Sequence, residues 1–170
     1  MKLFFTKRIL ISISLLSCLI FSGCYSFKSG RIPDNIETIN IRFFANRAAV
    51  VQPSLSQVFT DKLKDKFVSE SRLSLITTNA DLTFEGFISD YTNTPNAIQN
   101  SQLAALNRLT VSVFVKFTNA KDPKQDYEQT FTRFAEYNSS ISFQSVESNL
   151  IQEINRLLID DIYNKSVSNW

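Results

Sequence analysis

Apolar and polar residues alternate along four stretches of the chain, and each alternation predicts a β-strand with one buried and one solvated side. The four stretches are residues 37–44, 82–89, 109–118 and 127–137. Residues 73–76 are a candidate for one more short extended segment. The link Lys121-Asp122-Pro123-Lys124 has turn chemistry, so the last two strands are predicted to form an antiparallel hairpin.

Two other stretches repeat apolar residues at intervals of three and four, which is the period of an amphipathic helix. The first predicted helix runs from Ser54 to Glu70. The second runs from Ser145 to Lys165, with Ser145 as its N-cap and Lys165 near the negative end of the helix dipole.

The element order β-α-β-β-β-α predicts a single α+β domain, in which a four-stranded mixed or antiparallel sheet carries both helices on one face. A parallel pairing of the first strand with a later one is expected. Thr, Ser, Lys and Glu dominate the other face of the sheet, with Phe114 and Phe134 as the large exceptions. Antiparallel sheets commonly leave one face to water, so this face is either an ordinary solvated surface or one that is held against a partner.

The first 23 residues are typical of a cleaved export signal. Residues 1–8 are basic, and residues 9–21 are apolar and uncharged but shorter than the about 20 residues that span a bilayer. The predicted organisation is therefore a signal peptide at 1–23, a lipidated tether at 24–36 and the α+β domain at 37–170.

The segment Phe21-Ser22-Gly23-Cys24 is similar to the lipobox of bacterial lipoproteins, in which the cysteine becomes acylated. Cys18 follows a second such segment, but acylation there would leave too short an apolar stretch, so Cys24 is preferred. A plain signal peptide with a free thiol at Cys24 is the remaining alternative. Stable anchoring needs more than one fatty chain, such as palmitate, on this residue. Tyr25 stands where aspartate retains many lipoproteins in the inner membrane, which favours the periplasmic side of the outer membrane.

Composition excludes several kinds of chemistry. The chain has no histidine, two cysteines and three glycines, which removes serine-histidine and cysteine-histidine catalysis, the usual zinc ligands and glycine-rich phosphate loops. The acidic pair Glu85 and Asp90 is expected to face opposite sides of a strand, so no hydrolase is predicted. Three of the 18 basic residues lie in the leader, and the rest nearly balance 16 acidic ones, which excludes a nucleic-acid surface. The covalent lipid on Cys24 is the only cofactor-like group expected.

A series of short motifs, in this element order, resembles the LptE family of outer-membrane lipoproteins. The motifs are Cys24-Tyr25-Ser26-Phe27, Phe43-Phe44-Ala45-Asn46, Pro53-x-Leu55-Ser56-Gln57, Leu63-Lys64-Asp65-Lys66-Phe67, Asp81-Leu82-x-x-x-Gly86, Thr94-Pro95-x-Ala97-Ile98, Asn107-Arg108-Leu109-Thr110, Asp122-Pro123, and Asp161-Ile162-Tyr163-Asn164-Lys165 with Trp170. None is a catalytic signature, and their joint occurrence carries the resemblance.

The resemblance implies a non-enzymatic subunit that sits within the large outer-membrane barrel LptD and assists delivery of lipopolysaccharide to the outer leaflet. A polar sheet face would suit such a position, because the lumen of an outer-membrane barrel is polar. The implied partners are the LptD-type barrel, lipopolysaccharide and, through the lipid, the membrane.

Members of this family are thought to contact lipopolysaccharide through cationic loop residues, and here the match is poor. The loop Asn96 to Asn107 has no Lys or Arg, and the nearest cations are the candidate contacts Arg108, Lys116, Lys121 and Lys124. The candidate contacts to the barrel are Thr94, Pro95 and Ile98 in or beside that loop, and the aromatic residues Tyr163 and Trp170. For these two aromatic residues the alternative is that they cap the core.

A second function is compatible with the sequence: a periplasmic lipoprotein that regulates cell-wall synthesis by binding a synthase. Such a protein usually needs a long flexible tether, and residues 24–36 give little reach.

Overall fold

The computed structural model describes residues 32–96 and 105–167. Cys18, Cys24, Ile98 and Trp170 lie outside the described residues. The elements are β1 (Thr38–Ile41), β2 (Ala45–Asn46), α1 (Leu55–Glu70), β3 (Ser74–Leu75), β4 (Leu82–Asn96), β5 (Leu106–Asn119), a short 3-10 turn (Pro123–Gln125), β6 (Tyr127–Asn138) and α2 (Phe143–Val167).

The strands form one mixed sheet in the order β3-β1-β4-β5-β6, and β2 pairs with β4 further along the same edge. β1 runs parallel to β3 and β4, whereas β4, β5 and β6 are antiparallel. The α+β class, the parallel pairing of the first strand and the β5-β6 hairpin are therefore confirmed. The predicted count of four strands is wrong, because the sheet also contains the two-residue strands β2 and β3. β3 confirms the candidate extended segment at residues 73–76, whereas β2 is too short to show an alternating pattern.

Both helices pack on one side of the sheet and enclose a core of aromatic and branched side chains. The Phe67 ring of α1 lies 4.9 Å from the Phe84 ring of β4 and 5.0 Å from the Tyr163 ring of α2, so it joins all three elements. Phe84 in turn packs against Phe117 of β5 at 4.8 Å. Each fully buried aliphatic or aromatic side chain contributes about 1.5–3 kcal/mol. The core also includes Ile32 and Ile36, within the range expected to be tether.

One carboxylate ties three strands together at the start of β4. The Asp81 Oδ2 atom accepts hydrogen bonds from the backbone N–H groups of Glu37 and Thr38 at 3.0 and 3.1 Å and from the Thr38 hydroxyl at 2.9 Å. The Lys121 ammonium lies 3.1 Å from its other oxygen. The pKa of Asp81 is lowered to about 2, chiefly because its carboxylate accepts the Glu37 N–H bond. The bonds from Thr38 and Lys121 lower the pKa further, whereas burial raises it.

Gly86 lies where a ring must approach the backbone of β4. A Cβ atom at this position would stand 2.1 Å from the Phe114 carbonyl oxygen and 2.4 Å from Cε1 of Phe44. The Phe44 ring therefore packs into space that only glycine leaves open, since a carbonyl within a strand cannot move aside.

A bulge interrupts β4. Its register against β5 shifts between Ile88 and Asp90, so Ser89 has no residue opposite. The side-chain alternation reverses at this point, because one extra residue moves every following side chain to the other face. Tyr91 consequently points into the core, and Asp90 joins the outer face.

The second helix begins earlier than the sequence predicts. α2 starts at Phe143, so the assignment of Ser145 as N-cap is wrong. The Phe143 ring packs 5.9 Å from the ring of Tyr137, so the first turn of the helix makes a contact with β6 that the helical period does not reveal. The Ser145 hydroxyl instead donates back to the Ser142 carbonyl at 2.7 Å.

Candidate functional site

Strands β4, β5 and β6 present one broad surface that faces away from both helices, which we call the open face. Its members are Thr83, Glu85, Phe87, Asp90, Thr92 and Thr94 from β4, Arg108, Thr110, Ser112, Phe114 and Lys116 from β5, and Glu128, Thr130, Thr132, Phe134 and Glu136 from β6. Most of these side chains are polar and half-buried or exposed. The surface is ordered by rows of side chains that run across the strands.

The first row alternates in charge. Arg42, just after β1, forms an ion pair with Glu85 at 2.7 Å, and Lys116 forms one with Glu128 at 3.0 Å. Glu85 lies directly opposite Lys116, so the signs across four strands are plus, minus, plus and minus. The hydrogen bond to Glu128 is the main reason that the pKa of Lys116 is raised.

The next row is aromatic. The Phe87 and Phe114 rings stack at 5.2 Å, and the Arg47 guanidinium lies 4.5 Å from the centre of the Phe87 ring. Phe87 was not singled out beside Phe114 and Phe134, although its outward place in the alternation could have identified it. Arg47 could not have been found in this way, because it lies in the loop after β2.

Towards the beginning of β5 the open face carries hydroxyl side chains, and beyond them it carries charged side chains again. Ser112 and Thr132 share a hydrogen bond of 2.8 Å. Arg108 bonds one oxygen of Glu136 through Nε at 3.0 Å and through a terminal nitrogen at 2.6 Å. Its guanidinium also covers the Phe134 ring at 4.0 Å. A phosphate that bound Arg108 would therefore compete with Glu136.

The four candidate lipopolysaccharide contacts are not brought together. Arg108 and Lys116 are eight residues apart on β5, which corresponds to about 27 Å. Lys121 and Lys124 lie beyond Lys116 at the β5-β6 turn, and the Lys121 ammonium already pairs with Asp81. The positions are spread along the sheet and do not form one anion-binding cradle.

The candidate barrel contacts lie in different surroundings. Thr94 and Pro95 belong to β4 and pair with Arg108 and Asn107. The next pair joins Asn96 to Leu106, so both ends of the predicted loop Asn96 to Asn107 belong to strands. Pro95 is compatible with this strand because no described strand pairs with β4 on its other side there.

Tyr163 packs within the helix layer. Its hydroxyl donates to the Glu70 carbonyl at the end of α1 at 3.0 Å, and burial raises its pKa. In the folded chain this residue joins α2 to α1.

A polar brace that sequence reasoning missed holds the loop between β2 and α1. The Tyr91 hydroxyl donates to Glu147 of α2 at 2.5 Å, and the Gln52 amide donates to the same oxygen at 3.3 Å. Burial, followed by the bond to Glu147, raises the pKa of Tyr91. Tyr91 faces inward only because of the bulge at Ser89, so no sequence period predicts this brace.

The acidic residues do not form a catalytic pair. The expectation that Glu85 and Asp90 face opposite sides is wrong, because the bulge places both on the open face. They are nevertheless separated by four residue pairs, or about 14 Å, beyond the about 9.5 Å limit of glycosidase pairs. Within residues 32–96 and 105–167, no three acidic side chains converge in a way that could hold a metal.

The chain is similar to one known protein family and to several solved structures. The family model described as "LptE: Lipopolysaccharide-assembly" matches residues 36–166. A comparison with curated proteins finds no match. In the part of the chain that the structure describes, neither helix has the length and apolar character needed to cross a membrane.

Solved structures share the fold at low identity. A minor lipoprotein from Acinetobacter baumannii is 16% identical, with a TM-score of 0.53 over 79% of this chain and 95% of that one. A hypothetical protein from Chlamydia trachomatis is 11% identical, with a TM-score of 0.55 over 79% of this chain and 99% of that one. The rare lipoprotein B from Shewanella oneidensis is 5% identical, with a TM-score of 0.50 over 76% of this chain and 90% of that one.

Proposed function

The chain belongs to the LptE family of lipopolysaccharide-assembly proteins, and on that premise we propose that it is a non-enzymatic subunit of an LptD-type outer-membrane barrel. In this role it helps the barrel to assemble and assists the passage of lipopolysaccharide to the outer leaflet. The observation that carries the proposal is the open face, a broad sheet surface organised by ion pairs, hydroxyl contacts and cation-aromatic contacts.

The chemistry of the open face fits the lumen of a barrel. That lumen is polar, so a subunit inside it must match hydrogen bonds and charges rather than bury an apolar patch. Side chains on the open face are already held in fixed geometry by their neighbours, as Arg108 is by Glu136 and Phe134. Such preorganisation lowers the entropy that a partner contact would otherwise cost.

The proposed location is the periplasmic side of the outer membrane, with the domain anchored by lipid on Cys24. Mass spectrometry of the protein from native membranes should find the chain beginning at Cys24 with several fatty chains, palmitate among them. An unmodified thiol at Cys24, or acylation at Cys18, would contradict this assignment.

The direct test of the barrel partnership is purification of a C-terminally tagged full chain from detergent-solubilised membranes. We expect a stoichiometric barrel of much greater mass to copurify. Exchange of residues 1–24 for a secretory signal peptide that is cleaved without acylation separates the domain from its anchor, and we expect this chain still to recover the barrel. Recovery of the wild-type chain without a barrel would overturn the proposal.

Lipopolysaccharide contact by Arg108 is tested separately. Arg108→Ala should lower lipopolysaccharide binding by the isolated chain, whereas Lys62→Ala, at an exposed position of α1 outside the candidate contact set, serves as a charge-matched control. Equal binding by wild type and Arg108→Ala would remove Arg108 from the proposed contact set.

The loop that includes Ile98 is proposed to contact the barrel. Deletion of residues 97–104 should weaken copurification, and full retention of the barrel would contradict this contact.

A further inference from the structure

β6 forms one edge of the sheet and differs from the opposite edge. It runs for 12 residues, and its register with β5 is unbroken from Tyr127 to Asn138. The opposite edge is formed by the two-residue strands β3 and β2 and, beyond them, by the end of β4, which contains Pro95. Within the described residues, no strand lies beyond β6.

The hydrogen-bond pattern identifies which backbone groups of β6 point outward. The Ser139 N–H donates to the Ala105 carbonyl at 3.0 Å, which makes Leu106 and Asn138 a non-hydrogen-bonded pair. Because such pairs alternate in antiparallel strands, Thr130, Thr132 and Phe134 also direct their N–H and C=O groups away from β5. The side chains of these same residues belong to the open face.

Natural edge strands usually carry features that prevent pairing with another chain, such as proline, bulges or inward-pointing charges. β6 contains no proline or glycine and has no bulge. Its one inward-pointing charge, Arg133, is paired with Asp161 of α2 at 2.5 Å. The edge is therefore long, regular and open to main-chain pairing.

The charge row indicates what kind of strand fits there. Arg42, Glu85, Lys116 and Glu128 alternate in sign towards β6, and the Glu128 side chain remains 57% exposed at the end of the row. A strand added to β6 would continue the alternation with a Lys or Arg opposite Glu128, since opposite charges across a pair stabilise it.

A second copy of this chain fits the edge less well. The two antiparallel self-pairings that overlap most of β6 are centred on Thr132 or on Arg133. The first would place Glu128 opposite Glu136 of the copy, and the second would place the neutral Asn138 opposite Glu128, so neither supplies a cation there. Like charges directly opposite each other destabilise a strand pair.

We propose that β6 receives an added strand from the barrel partner, namely an extended loop segment with a basic residue opposite Glu128. This inference rests on the proposed function and adds the mode of contact. Main-chain hydrogen bonds supply affinity in such strand addition, and alternate side chains supply specificity.

A proline on the open edge of β6 tests the inference, because it removes an outward N–H and leaves the β5-β6 ladder intact. Thr130→Pro should lower copurification of the barrel at least tenfold, whereas Thr130→Ala, which keeps the N–H, should retain it. Circular dichroism and thermal unfolding check that both variants fold. Equal recovery of the barrel by a folded Thr130→Pro variant and by Thr130→Ala would overturn the inference.

Amide hydrogen exchange of the wild-type chain gives a second test that does not depend on a folded proline variant. In the free chain Thr130, Thr132 and Phe134 should exchange much faster than Phe131 and Arg133. In the purified barrel complex this difference should disappear, and its persistence would overturn the inference. A side-chain contact alone would not protect alternate amides.

Charge reversal tests the chemistry of the added strand. Glu128→Lys should reduce barrel recovery several-fold, and Glu128→Gln should reduce it less. Equal recovery by all three chains would contradict the basic residue opposite Glu128. Sedimentation that shows a dimer, with Thr130→Pro converting it to monomer, would assign the edge to a second copy instead. If the wild-type chain recovers no barrel, the proposed function fails together with this inference.

Discussion

On the helix side of β4, the Phe84 ring is fully buried between Phe67 and Phe117, whereas three residues later Phe87 lies on the open face beneath the Arg47 guanidinium. The two rings belong to one strand and stack against neighbours at similar distances, 4.8 Å for Phe84 with Phe117 and 5.2 Å for Phe87 with Phe114. Their surroundings differ, because Phe84 is fully buried in the apolar core and Phe87 is half-buried beneath a charged group.

This difference distinguishes side chains that stabilise the fold from side chains that can contact a partner. Side chains on the helix side are held by close packing, so their removal leaves a cavity that the core cannot fill. Side chains on the open face are held by pairwise contacts that water can largely replace. The open face can therefore contribute to partner contacts without loss of the fold.

The largest expected effect is that of Phe84→Ala, which should lower the free energy of unfolding by about 3–5 kcal/mol. The matched variant Phe87→Ala should cost only about 1 kcal/mol, since it removes one stacked pair at a half-exposed site. Urea unfolding measures both values, and Phe84→Leu serves if Phe84→Ala does not fold. Equal losses for the two phenylalanines would break the comparison between the faces.

The next effect is that of Gly86→Ala, expected to cost about 2–3 kcal/mol because the added Cβ meets the Phe114 carbonyl and the Phe44 ring. Ser89→Ala, three residues along the same strand, should stay within about 0.5 kcal/mol. Urea unfolding measures both changes. A neutral Gly86→Ala would show that β4 and Phe44 can separate, contrary to the packing described.

Asp81→Asn should lower the free energy of unfolding by about 1–2 kcal/mol at pH 7, because a neutral amide accepts the Glu37 and Thr38 hydrogen bonds less strongly. The folded pKa of Asp81 is about 2, below its ordinary value of 3.8. Its contribution is therefore present above the unfolded pKa and is lost as the pH falls towards 2.

The difference between wild type and Asp81→Asn should accordingly shrink between about pH 5 and pH 2. Lys121→Met, which removes only the ammonium partner, should have a smaller effect than Asp81→Asn. A difference that stays constant over this pH range would show that the charge of Asp81 does not stabilise the strands.

The smallest expected effect is the coupling between Arg108 and Glu136 on the open face. A double-mutant cycle with Arg108→Met and Glu136→Gln should give about 0.5 kcal/mol, and less in 1 M salt. Coupling above about 2 kcal/mol would mean that the open face stabilises the fold as strongly as buried contacts do.

Sequence patterns predicted most of this fold, because the period of 2.0 residues is clear in the long strands and the period of 3.6 residues is clear in both helices. The inward residues of β5, such as Val111, Val113 and Val115, are fully buried as their alternation predicts. The LptE family resemblance is likewise confirmed over residues 36–166. The strand β2 escaped prediction because two residues contain no period, whereas β3 lies within the candidate extended segment at residues 73–76.

The candidate site was predictable only in part. The alternation identified Lys116 as an outward residue of its strand, and the structure places it so. Arg108 precedes the predicted strand 109–118 but lies within β5, which begins at Leu106. The alternation did not predict that Glu136 and Glu128 hold them, since cross-strand neighbours depend on register. Nor could it predict the Tyr91-Glu147 contact, which depends on the single extra residue of the bulge.

The sequence by itself determined the α+β class, the two helices, the long hairpin and the division of each strand into an apolar and a polar side, because these follow from periods of 2.0 and 3.6 residues along the chain. Only the tertiary structure decided which residues stand opposite one another. The register of β5 against its two neighbours places Lys116 between Glu85 and Glu128 and leaves one side of β6 without a described partner. Pairings between distant segments depend on hydrogen bonds and packing that form only when the sheet is assembled, and no local pattern contains them.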